Sequence, residues 1–147
     1  MKEGNAAMTN TNIESLWPEE DFGVPEITPP IVILRHQAYA LGQKTRNVLE
    51  GAVVQQINPS GGSAYLEETF YIQAPLLGGY RYYLFHVNHK AFPIYPLNIY
   101  SDERQQKPIK VDDEEEFRGA LRQIFASEKT KNVIQSLLAQ SLSETAS

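Results

Sequence analysis

Apolar residues crowd into one stretch of this chain, Tyr80 to Tyr100 (YRYYLFHVNHKAFPIYPLNIY), and recur around it with two different periods. Aromatic and β-branched residues dominate the stretch, and Asn88-His89-Lys90 divides it once. That composition predicts a β-hairpin at the centre of an antiparallel sheet. Successive strand side chains point to opposite faces. Strict alternation therefore sends Tyr83, Phe85 and Val87 to one face and Tyr80, Tyr82, Leu84 and His86 to the other. The first set is the more apolar and is assigned to the core; the second, with Tyr95 brought near it across the turn, is the expected interaction surface. Pro93 and Pro96 fall in the second strand. Proline cannot donate to a ladder, so that strand is expected at an edge or bulged at the prolines.

The flanking segments supply what packs on the hairpin. From Ile31 to Glu50, apolar and small residues recur at Ile31, Leu34, Ala38, Leu41, Thr45 and Val48, one stripe of a helix. Pro29-Pro30 suits its first turn and Gly51 its C-cap. Ala52–Ile57 and Tyr65–Ala74 read as strands separated by turn-formers at 58–63, and 108–111 reads as a short fifth strand. Asp112 with Glu115 three residues on resembles a capping box. Beyond it come two apolar stripes, Phe117-Leu121-Ile124-Phe125 and Val133-Ile134-Leu137-Leu138, broken near Ser127 and Thr130. The expected fold is α+β: an N-terminal helix, an antiparallel meander of four or five strands, and a C-terminal helix pair packed on one sheet face. Residues 31–141 form the single domain, and 142–147 a frayed tail.

Ahead of that domain the pattern changes. Residues 13–30 (IESLWPEEDFGVPEITPP) mix acids and prolines with Ile13, Leu16, Trp17, Phe22, Val24 and Ile27. Four prolines forbid a long helix, yet six apolar side chains are too many for an inert linker. Two readings stand: an extended arm lying across its own domain, or a linear segment that docks Trp17 and Phe22 into a partner. Residues 1–12, small and polar, are expected to be disordered.

Charge sharpens the picture. Residues 1–30 hold one lysine and six acids, whereas 31–147 hold twelve basic and twelve acidic side chains, so the formal charge of −5 resides in the arm. A neutral body with an acidic arm is a poor polyanion binder, which disfavours nucleic acid. No apolar run approaches the roughly 20 residues of a membrane span, and MKEGNAAMTN lacks the apolar core of a secretory signal. With no cysteine in the chain, thiol chemistry and disulfides are excluded. A cytoplasmic setting is expected.

Catalytic and metal signals are weak. The run Asp112-Asp113-Glu114-Glu115-Glu116 points around most of a helix circumference and is accounted for by the helix N-terminal partial charge. His86 and His89 lack a third ligand, so no metal or cofactor is expected. The glycine pairs lack the lysine and hydroxyl of a phosphate loop. Seven of the eight tyrosines lie in expected strands, where they offer large contact area with a polar tip. The first reading is a non-catalytic protein-interaction module of adaptor, secretion-chaperone-like or immunity type. Its surface comprises Trp17, Phe22, Tyr80, Tyr82, Leu84, His86 and Tyr95, and its partner is another protein or a second copy of the chain. The alternatives are a small-molecule binder with a pocket between the first helix and the Tyr-rich face, and a small enzyme using His86 with Glu67 or Glu68.

Overall fold

A computed structural model of the chain describes residues 12–60, 63–101 and 107–146. The expected disorder of residues 1–12 falls almost wholly outside that range. Helix α1 (Pro30–Lys44) comes first, then strands β1 (Glu50–Ser60), β2 (Ser63–Ala74), β3 (Tyr80–Lys90), β4 (Leu97–Tyr100) and β5 (Ile109–Val111), then helices α2 (Glu114–Phe125) and α3 (Glu128–Ala146). The strands form one antiparallel sheet in sequence order, with β3 at its centre. The fold is α+β.

Pro30 opens α1 at a position where its missing N–H costs nothing. The helix stops at Lys44, seven residues before the Gly51 that was expected to cap it. Thr45 ends it instead: its hydroxyl lies 2.9 Å from the Leu41 carbonyl oxygen and accepts from the Leu49 N–H at 3.1 Å. Arg46 and Asn47, both at positive φ, then reverse the chain. Gly51 serves another purpose inside β1. A Cβ there would lie 2.4 Å from the Ala38 Cα, so only glycine lets α1 come this close to the sheet.

The β1–β2 ladder runs through Asn58, Pro59 and Ser60, residues expected in a loop. Pro59 is tolerated because β1 is an edge strand. Pro93 and Pro96 sit outside any strand, in the connection before β4, each after a cis peptide bond. With the prolines removed from the ladder, β4 lies between β3 and β5 rather than at an edge.

The largest departure from expectation lies in β3. Phe70 pairs with Phe85 but Tyr71 pairs with Tyr83, which leaves Leu84 as the extra residue of a β-bulge. A one-residue insertion reverses the sense of alternation. Tyr80, Tyr82 and Leu84 therefore share the helix-covered face with Phe85, Val87 and His89, whereas Tyr83 joins Arg81 and His86 on the opposite face. Leu84 is 4% exposed, beside fully buried Phe85 and Val87. The assignment of Tyr83 to the core, and of Leu84 to the outer face, is overturned.

The core lies between the sheet and the helices. Phe70 and Phe85 stack at 5.3 Å, and Phe125 of α2 closes on both at 5.5 and 5.9 Å. Asp113, one residue beyond the expected cap, accepts from the Glu116 N–H at 2.8 Å, and Glu116 accepts from the Asp112 N–H at 2.9 Å. The break between the last two helices falls where the pattern placed it. Ser127 accepts from the Thr130 N–H, and the Thr130 hydroxyl donates to the Ile124 carbonyl at 2.7 Å. Helix α3 continues to Ala146, through the segment expected to fray. No helix among the described residues is long and apolar enough to cross a membrane.

Candidate functional site

Three surfaces carry the residues singled out by the sequence, and the structure keeps them apart. The first is the arm. Residues 12–29 form neither helix nor strand. Ile13, Leu16, Trp17, Phe22, Val24 and Ile27 are all exposed, Trp17 at 73% and Phe22 at 80%. The Trp17 and Phe22 rings meet edge to face at 5.9 Å, with Pro18-Glu19-Glu20-Asp21 looped between them. The arm does not lie across its own domain as the first reading had it. Carboxylates set between the aromatics resist burial without cationic partners, and the helices already occupy the apolar face of the sheet.

The second surface is the sheet face that no helix covers. Glu67, Thr69, Tyr71, Tyr83, His86 and Tyr100 are half-buried there by one another. His86 stacks on Tyr100 with centroids 4.8 Å apart, Tyr71 meets Tyr83 at 6.5 Å, and the Arg81 guanidinium lies 5.5 Å from the Tyr71 ring centre. The His86 Nε2 is 3.5 Å from Glu67, while its Nδ1 hydrogen-bonds to the Tyr83 hydroxyl, which also lies 3.0 Å from the Tyr100 carbonyl oxygen. Partial burial lowers the His86 pKa against the opposing pull of Glu67. Both ring nitrogens are thereby engaged. The arrangement braces the aromatic shelf, and a general base there would first have to break one of those contacts.

In comparison with known proteins, no family model, no curated protein and no solved structure matches the chain. What the chain does must be read from its own surfaces.

The third surface lies on the helix side. Tyr80 and Tyr82 line an open groove of about 940 Å³ with Leu77 and, from α3, Val133 and Leu137. Leu84 lies instead in a smaller cleft of about 250 Å³ beneath α1. Tyr95 is apart from all of these, packed on the core. Its hydroxyl is buried without a hydrogen-bond partner among the described residues, and burial, helped by Glu114 and Asp113, pushes its pKa up to about 12. Of the seven expected surface residues, then, Trp17 and Phe22 sit together on the arm, and Tyr80 and Tyr82 in the groove. Leu84, His86 and Tyr95 each lie elsewhere.

The two glutamates weighed as partners of His86 part company. Glu67 reaches it across the open face; Glu68, one residue on, turns to the helix side. There Glu68 is fully buried and meets His89 at 3.0 Å and the Gln55 amide at 2.8 Å. Burial alone would lower the His89 pKa, but the hydrogen bonds to Glu68 and to the Lys90 carbonyl, with the Glu68 charge, raise it on balance. Sequence reasoning missed this pair, along with Tyr71, Tyr100 and Arg81 as members of the aromatic shelf. Glu67 and Tyr71 alternate with buried Glu68, Phe70 and Ile72 along β2, but only the register of β3 and β4 brings their partners to them.

Proposed function

We propose that the chain is a non-catalytic protein-interaction module whose docking element is the acidic arm. The observation that carries this reading is the exposure of six large apolar side chains in one short segment that gains nothing from its own domain. Scattered exposed apolar residues are ordinary, but a contiguous set marks a contact surface. Trp17 and Phe22 have the size and rigidity of interface anchors. Glu19, Glu20 and Asp21 between them call for a partner whose apolar pocket is rimmed by lysine or arginine. Segments of this kind pay an ordering cost on binding and suit transient, exchangeable contacts.

The partner is another protein or a second copy of the chain, and the setting expected for it is the cytoplasm. The test is a Trp17→Ala/Phe22→Ala double variant. It should melt with the parent, because neither ring supports the domain. It should also lose the protein that co-purifies with the parent at native expression levels, or lose concentration-dependent dimerisation in sedimentation. A double variant that melts well below the parent would place the arm in the fold instead. One that keeps every association would remove the arm as the docking element.

A further inference from the structure

The cleft beneath α1 asks for an occupant. Its walls include Phe70, Ile72 and Leu84 from the sheet and Phe125 and Ile134 from the C-terminal helices. The three sheet residues are 1–4% exposed, yet the space between them and α1 amounts to about 250 Å³. Protein interiors pack at crystal density and seldom keep voids larger than a water molecule. The cleft opens to solvent beside exposed Lys44, so its apolar walls stay wet until an apolar group covers them. The polar group deepest among the lining residues, the Thr130 hydroxyl, is spent on the Ile124 carbonyl and offers an entrant nothing.

The polar side chains left are Lys44 and Gln37, both on α1. Lys44 is the single charged residue of the lining; it is exposed, and it makes no ion pair among the described residues. Gln37 is half-buried, and its amide makes no side-chain hydrogen bond among the described residues. An ammonium supplies donors alone, so the part of the lining at Lys44 suits an anion. At about 30 Å³ for each water-sized group, the cleft of about 250 Å³ has room for roughly eight such groups.

From apolar walls, a single cation and this volume, we infer that the cleft binds a single-chain amphipathic carboxylate of medium length, its tail between α1 and the sheet and its headgroup at Lys44. This inference stands independently of the arm.

The probe is sodium octanoate, titrated calorimetrically into the full chain, with 1-octanol as the uncharged control. Octanoate should bind saturably at one site. Octanol, and octanoate with the Lys44→Gln variant, should each bind about tenfold more weakly, the scale of one charge-assisted contact. Ala40→Leu, which fills the cleft from α1, should abolish binding while leaving the circular dichroism spectrum unchanged. Should that variant fold poorly, nuclear Overhauser contacts from the octanoate chain to the Leu84 and Ile134 methyls of the parent protein make the same point. Absence of saturable binding would overturn the inference. So would octanol and octanoate binding alike to parent and Lys44→Gln, or Overhauser contacts to the tyrosines of the open sheet face in place of those methyls.

Discussion

The bulge at Leu84 decides which side chains of the central strand hold the fold, and a truncation there measures it. Leu84 is 4% exposed and packs among Phe70, Ile72 and Phe125. Leu84→Ala removes three carbon atoms, which at roughly 0.8 kcal/mol each is about 2.4 kcal/mol of lost transfer free energy. A sealed cavity would add to that, up to the ~5 kcal/mol seen at the least yielding sites. Because Leu84 already borders a cleft, the space it vacates joins an existing opening, and the added penalty is small. The expected loss is about 2–3 kcal/mol, or roughly 5–10 °C in Tm for a domain of this size. Urea unfolding followed by circular dichroism reads it as a lower midpoint at unchanged slope. Tyr83→Phe is the companion measurement. It removes one hydroxyl from the open face and should cost about 1 kcal/mol. The face assignment fails if Leu84→Ala unfolds within about 0.5 kcal/mol of the parent, the behaviour of a surface site. It also fails if Tyr83→Phe proves the costlier of the two.

Two other predictions come from close contacts in the fold. Gly51→Ala places a methyl 2.4 Å from the Ala38 Cα and should lower Tm clearly. Gly119→Ala on α2, where nothing lies within 4 Å, should raise stability by about 1 kcal/mol through helix propensity. A Gly51→Ala protein as stable as the parent, or stabilised like Gly119→Ala, would contradict the α1–β1 packing. The buried Glu68–His89 pair sets a pH dependence. Since the folded His89 pKa is raised above its unfolded value, its contribution is fully present below pH 6.5 and is lost as pH rises through the folded pKa. The stability gap between parent and His89→Gln should accordingly narrow from pH 6 towards pH 9 in thermal melts. A gap that widens with pH would mean that His89 is held neutral.

Much of the fold was legible because periodicity and burial are coupled. The two C-terminal helix stripes, the first part of the N-terminal one and the Ser127–Thr130 break followed from spacing alone, whereas the expected hairpin break at Asn88-His89-Lys90 lies inside β3 and Thr45 and Val48 lie beyond the end of α1. What escaped was every feature set by long-range register. Nothing local to YRYYLFHV announces that Leu84 is an extra residue. The bulge exists because Phe85 and Leu84 can both be buried on the helix side while Tyr83, with a polar tip, turns to Tyr71 and His86. Cap positions slipped for a related reason: acids at 112, 113 and 116 permit two neighbouring capping arrangements, and the packing of Phe117 selects one. The arm was recognised by composition, but whether six apolar residues turn inward depends on free apolar surface in the domain, which no pattern within the arm contains. The candidate surfaces were legible as residue types and only partly as places.

Trp17 is the only tryptophan in the chain, so its fluorescence reports on the arm without interference. In dilute, purified full-length protein the account predicts the emission of a water-exposed indole, quenched by acrylamide nearly as freely as the denatured chain. That emission should shift to the blue and become protected only when a protein partner or a second copy is bound. Blue-shifted, protected emission from the isolated monomer would mean that the arm is packed on its own domain, and the docking role would fall with it.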